Sequence, residues 1–266
     1  GKTSISLLSA QTTLEGPFYN GAWLLSARRT YFDYLLPKIL PAETAEKIPP
    51  YYFYDLQGHV FSDLNEKDRI SVSIYRGIDD LIFDNLGLTA DWGNNTYSLS
   101  FRRVFNEKLV GNFLVASSEF FTNFNLGGDD GLNSENKILD QTLSANLTFF
   151  QSSDLEWRTG AQIKQLDFKY LNTFLEDTSF YIGENPIEAG FYTKLKWKGF
   201  SRFIIEPGLR YNYYSVYSST PYIDLRLGIK YLLTDDRYIN IAFGNYHQFI
   251  QTVQDDYNPT ILDSWL

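Results

Sequence analysis

The chain contains no cysteine, which removes disulfide frameworks and thiolate metal sites from consideration. Basic charge is also scarce: 23 Lys and Arg stand against 32 Asp and Glu, a net charge of -9 over 266 residues. Nucleic-acid binding needs a cationic footprint for phosphate contacts, so that class is excluded. No stretch approaches the roughly eighteen continuous apolar residues of a membrane helix, and the mean hydropathy is only -0.27. The opening Gly1-Lys2-Thr3-Ser4-Ile5-Ser6 lacks the basic and apolar regions of a secretory signal. For an exported protein the expectation is a mature chain or a piece of one.

Aromatic residues are abundant, with 20 Tyr and 21 Phe and a 17% aromatic share overall. Many aromatics without net hydrophobicity suit a barrel with aromatic girdles, because half of each membrane strand faces a polar lumen. Residues 22–36 organise the reading. Trp23, Leu25 and Ala27 fall on one side, Leu24, Ser26, Arg28 and Thr30 on the other. The stretch reads as a strand of about thirteen residues, beyond the usual five or six of globular strands and sufficient for the nine to eleven of a membrane crossing. A tight turn, Gly16-Pro17-Phe18-Tyr19-Asn20-Gly21, precedes it and a long polar loop, 37–50, follows. Short turns at one end and long loops at the other are the asymmetry of an outer-membrane barrel.

The same alternation recurs. A strand is expected over 3–14, before the central stretch. In 51–63, Tyr54, Leu56, Gly58 and Val60 oppose Phe53, Asp55, Gln57 and His59. In 69–79, Ile70, Val72 and Ile74 oppose Ser71, Ser73 and Tyr75. Further strands are expected over 91–104, 109–125, 139–149, from 155 onward, and over 187–197, 202–214, 222–231 and 238–249. Loops are expected over 126–136 and 171–185. From Leu155, Trp157, Ala161 and Ile163 oppose Glu156, Arg158, Gln162 and Lys164; beyond Lys164 the pattern inverts, as expected where a strand leaves lipid. Pro207 inside 202–214 predicts a bulge. No segment of helical period competes. The sum is about twelve strands joined alternately by short and long connections.

If the short turns are periplasmic, the first strand descends and the last ascends, placing both chain ends on the outer side. A closed barrel of even strand number begins and ends on the other side. An all-β, antiparallel transmembrane β-barrel, incomplete, is therefore expected, with residues 1–266 forming one partial barrel domain and an ascending first strand either missing or squeezed into the first few residues.

Gln11-Thr12-Thr13-Leu14-Glu15-Gly16-Pro17 and Trp23-Leu24-Leu25-Ser26-Ala27-Arg28-Arg29-Thr30-Tyr31-Phe32-Asp33 resemble the start of the barrel in TonB-dependent outer-membrane receptors. Pro207-Gly208-Leu209-Arg210-Tyr211 and Ala242-Phe243-Gly244-Asn245-Tyr246-His247-Gln248 resemble later strands of the same group. The resemblance implies a larger barrel with an N-terminal plug in a Gram-negative outer membrane, importing a scarce solute on energy delivered by TonB. Its partners would be outer-membrane lipid, the plug, the remaining strands, the TonB system and an unidentified solute. The chain shows no plug and no energy-coupling box, and carries about half of such a barrel's strands.

Inward polar residues are the candidate solute contacts: Arg28; Asp55, Gln57 and His59; Glu156, Arg158, Gln162 and Lys164; Glu206, Arg210 and Asn212. Lumens are polar by default, so cross-strand bonding competes with ligand contact for each of them, and Arg28 is equally able to meet a plug carboxylate. The run from Asp129 to Glu135 is oxygen-rich but lacks EF-hand spacing and reads as a solvated loop. The acidic pairs Asp79-Asp80, Asp235-Asp236 and Asp255-Asp256 read likewise. No metal site, cofactor or catalytic set is assigned.

Two other classes compete. A small outer-membrane hydrolase would need His59 or His247 bonded to Ser and an acid, and no G-x-S-x-G elbow occurs. His59 is expected to be a lumen or interface histidine, and His247 a member of an aromatic girdle with Tyr246 and Phe249. A soluble β-rich binding domain would need its outward apolar faces buried on another sheet.

Overall fold

A computed structural model of the chain describes residues 1–45, 48, 50–128, 130–216, 221–250, 252–253 and 264–265. Fourteen strands form one antiparallel sheet: β1 (Lys2–Ile5), β2 (Ser9–Phe18), β3 (Gly21–Thr30), β4 (Tyr51–Asp63), β5 (Asp68–Phe83), β6 (Leu88–Asn106), β7 (Leu109–Leu126), β8 (Leu132–Phe150), β9 (Leu155–Phe174), β10 (Asp177–Glu184), β11 (Ile187–Phe200), β12 (Phe203–Tyr214), β13 (Tyr222–Leu232) and β14 (Tyr238–Gly244). Each strand pairs with its successor, except that β9 pairs with β10 along its upper half and with β11 along its lower half. A separate two-stranded pair joins β15 (Thr252–Val253) to β16 (Ser264–Trp265). The fourteen-stranded sheet is open, with β1 and β14 at its edges.

One face carries the apolar side chains. Val72, Leu99, Val115, Leu143 and Ile163 stand directly opposite one another in register on five successive strands, and all five are exposed. In water, each such side chain forgoes the roughly 1.5–3 kcal/mol that full burial supplies. Among the described residues few apolar side chains are buried, namely Ala90, Phe124, Leu166, Pro186 and Tyr214, and no second sheet of described strands covers the belt. An exposed belt of this kind has the pattern of a lipid-facing sheet surface, whereas the inner face of a soluble sandwich packs on a second sheet.

The belt slopes through the ladder. Register carries the Val72 row to Tyr213 on β12. The belt centre on β13, Leu227, pairs instead with Pro207 on β12. A drift of roughly six residues over seven strand-to-strand steps corresponds to strands tilted by roughly 30° from the belt's normal, as in a barrel wall.

Several expectations are corrected. The 3–14 strand is two strands: β1 folds back on β2, pairing Lys2–Ile5 with Ala10–Thr13, so the short first strand lies within the opening residues. The 22–36 strand stops at Thr30, where α1 (Phe32–Ile39) begins, followed by α2 (Ala42–Ala45). Asp33 lies in the first turn of α1, accepts Arg29 Nη2 at 2.7 Å, and favours the positive end of the helix dipole.

The loops expected over 126–136 and 171–185 are hairpins. β7 and β8 pair as far as Leu126 and Leu132. β9 turns into β10 through Leu175 and Glu176, both at positive φ (53° and 63°), the requirement of a two-residue hairpin. β10 and β11 lie end to end along β9, broken at Asn185 and buried Pro186. The twelve expected strands thus become fourteen. Pro207 makes no bulge: its register with β13 is unbroken, while the β11 ladder lapses opposite it at Leu195 and resumes without offset, the missing N–H facing β11. Finally, β14 ends at Gly244 rather than at residue 249.

Candidate functional site: the polar face

Alternation places the other side chain of each strand on the opposite face, which is polar and cross-linked. Arg28 Nε donates to Asp55 Oδ2 at 2.7 Å, and Tyr75 donates to Asp55 Oδ1 at 3.0 Å. Arg28 therefore has its partner on the adjacent strand, and its guanidinium also lies 4.8 Å from the Phe53 ring centre. Gln57 occupies the next position of that face on β4, level with Ser26 and Tyr75. His59 Nδ1 lies 2.8 Å from Ser73 Oγ.

The β9 and β12 candidates converge across β11. Gln162 pairs with Gly190, which pairs with Asn212. Gly160, Tyr192 and Arg210 form the next row, and Arg158, Lys194 and Gly208 the one after. Glu156 pairs with Arg158, Lys164 with Asp140 at 3.4 Å, and Glu206 with Lys196 at 3.6 Å. Arg210 Nε donates to Asn212 Oδ1 at 2.6 Å, and its Nη2 lies 4.0 Å from Glu188. The Asp55, Gln57 and His59 group stays apart from these, five strand steps away along the sheet.

A carboxylate that the sequence reading passed over anchors the last strands. Asp224 on β13 is 1% exposed. It accepts Asn212 Nδ2 at 2.9 Å and Arg226 Nη2 at 3.4 Å, and His247 Nδ1 lies 2.5 Å from its other oxygen. His247 arrives there because the segment after β14 folds back over this face: Asn245 bonds the backbone of Ile223 and Leu225, and Phe249 stacks on Tyr214 with ring centres 4.9 Å apart. His247 keeps an aromatic neighbour, its ring 4.7 Å from that of Tyr222, and adds the Asp224 contact that the sequence reading did not foresee. Among the described residues neither histidine cluster contains all three members of a hydrolytic triad: no described carboxylate bonds His59, and no described hydroxyl bonds His247.

The outer end of this face holds an aromatic group that alternation alone left unassigned. Tyr51 stacks on Trp92 at 6.3 Å and donates to Asp79 at 2.5 Å. Both lie beyond the apolar belt, and burial first, then the Asp79 carboxylate, pushes the Tyr51 phenol up to about 12. Asp80 accepts from Tyr52 at 3.2 Å. Glu135, at the end of the oxygen-rich run, is held by Lys169 at 2.6 Å, while Asp129 and the Asp255-Asp256 pair lie outside the described residues. Asp236 accepts from Thr234 at 2.6 Å in the β13–β14 turn. Among the described residues no group of three His, Asp or Glu side chains is placed to hold a metal ion.

No protein-family model and no curated protein matches the chain. Solved structures do. FpvA of Pseudomonas aeruginosa, in a pyoverdine–iron complex, superposes with a TM-score of 0.69 at 11% identity, over 93% of this chain and 41% of that one. The alcaligin outer-membrane receptor FauA of Bordetella pertussis gives 0.69 at 10% identity, over 96% and 43%. The RagAB peptide transporter gives 0.59 at 8%, over 97% and 40%. The chain spans about two fifths of the length of the solved chains it matches. Its fold is that of a stretch of outer-membrane receptor barrel.

Proposed function

We propose that residues 1–266 form one partial barrel domain, a sector of transmembrane wall in a TonB-dependent receptor of a Gram-negative outer membrane. The observation that carries this reading is the pairing of a continuous exposed apolar belt on one face with an ion-paired polar face on the other, in a single open antiparallel sheet. The edges argue the same way: backbone groups left unpaired in hydrocarbon cost several kcal/mol each, so further strands complete the wall. The rest of the receptor would supply a plug and the contact with TonB.

Within that reading the wall acts passively. The β7–β8 and β9–β10 hairpins and the connection after β3 project beyond the belt and meet the solute. Arg28, Asp55, Gln57 and His59 line one part of its route. Glu156, Arg158, Gln162, Lys164, Glu206, Arg210 and Asn212 line another. FpvA was solved with an iron–pyoverdine complex and RagAB is a peptide transporter, so the shared barrel does not single out a solute.

Cell fractionation followed by an uptake panel of iron chelates, copper and peptides tests the proposal. The protein is expected in the outer-membrane fraction with heat-modifiable gel mobility. Uptake of one solute class should fall both on deleting the gene and on deleting tonB. A detergent-independent soluble protein, or a membrane barrel whose loss changes no TonB-dependent uptake, would overturn it.

A further inference from the structure

Behind the middle of the apolar belt, the polar face of β9 to β14 holds a depression of about 460 Å³. Its floor is made of missing side chains: a Cβ added at Gly208 or Gly228 would meet its nearest neighbour only at 3.4 or 3.6 Å, and Ala242 completes the floor. Its charged lining is Arg158, Lys194, Arg210 and Arg226 against a single carboxylate, Glu206. In a chain of net charge -9, that local excess of cations needs an explanation.

The wall satisfies these cations unequally. Arg158 turns back to Glu156, and Arg210 to Asn212 and Glu188. Arg226 spends Nη2 on Asp224 and lies over the Tyr246 ring, yet its Nε is buried without a partner. Lys194 makes no hydrogen bond or ion pair among the described residues, although Glu206 lines the same depression and is engaged by Lys196. Lys194 is thus left unspent at the edge of an open, side-chain-free floor, with the Arg226 guanidinium lining the same depression.

Resting on the barrel reading, we infer that this depression is an anion site, taking a carboxylate or phosphate group between Lys194 and Arg226 with Gly208 and Gly228 giving it room. Charge-assisted bonds from an ammonium and a guanidinium are the strong ones. The anion is carried either by the solute or by an acidic side chain of the receptor outside residues 1–266.

The full-length gene product, purified in detergent, is titrated calorimetrically with citrate and with inorganic pyrophosphate. It is also treated with a carbodiimide, and linked peptides are mapped by mass spectrometry. For a solute-borne anion, one probe binds and its affinity drops at least about tenfold in both Lys194→Gln and Gly228→Leu, which remove charge and space respectively. For a receptor-borne anion, neither probe binds and Lys194 is linked to a carboxylate elsewhere in the same protein. A barrel with heat-modifiable mobility that shows neither result overturns the anion site and leaves the receptor proposal standing. Loss of that mobility in the wild type overturns the receptor proposal itself.

Discussion

Tyr192 lies across Gly160 on the neighbouring strand: a Cβ at position 160 would stand 2.6 Å from Tyr192 Cε1, and the phenol reaches over to donate to Asn146 Oδ1 at 2.8 Å. Glycine here is a matter of space. Gly190 plays the same part for Arg210, whose Nη2 would meet a Cβ at 2.8 Å.

Gly160→Val should therefore expel Tyr192 from its place and cost about 1–3 kcal/mol, the usual scale of overpacking. Denaturant unfolding in bilayers checks the stability. Tyr192→Ala combined with Gly160→Val should recover only part of the loss, because a Cβ at 160 still stands 2.5 Å from Asn146 Oδ1 and 2.9 Å from the Ala145 carbonyl.

Leu143 is 57% exposed in the middle of the belt. Leu143→Arg is expected to destabilise the barrel in lipid by about 2–4 kcal/mol, whereas Ser98→Lys on the polar face should cost about 1 kcal/mol or less. Equal costs at the two positions would reverse or abolish the assignment of faces.

How these faces were legible is a matter of period. Wherever a strand runs through lipid, one side must be apolar and the other is free to be polar, so Leu143 and Ile163 were placed from spacing alone. Outside lipid that demand ends: residues 132–136 of β8, 171–174 of β9 and all of β10 lack a one-sided apolar pattern, and they read as loops although their backbones continue the ladder. The start of α1 failed for another reason, since residues 32–36, with their aromatics and leucines, satisfy a strand pattern as well as a helix, and Pro37 reads as the start of a loop. Asp224 and His247 are brought together by a chain reversal after Gly244, which no local pattern encodes, while Arg28 and Asp55 became a pair only once register was known.

Asp224→Ala should cost about 3 kcal/mol, because a buried carboxylate is lost and Asn212, Arg226 and His247 are left with donors unmet. The first consequence is local. Limited proteolysis should cut residues 245–250 faster in the variant while the barrel keeps its heat-modifiable mobility.

The Arg28–Asp55 pair is a different case, since the Arg28 side chain is 45% exposed. A double-mutant cycle with Arg28→Gln and Asp55→Asn should return a coupling of about 1 kcal/mol or less. A larger value would mean that water is excluded from this part of the face.

The slope of the belt bears on how charges are arranged inside the wall. Arg158, Lys194, Gly208 and Arg226 lie on one cross-strand row, with strands about 4.8 Å apart and tilted by roughly 30°. Three steps along that row therefore climb roughly 7 Å toward the end with the long connections. The cations stand as a ramp rather than a ring, and an anion passed from Arg226 to Arg158 would descend the membrane as it moves around the wall.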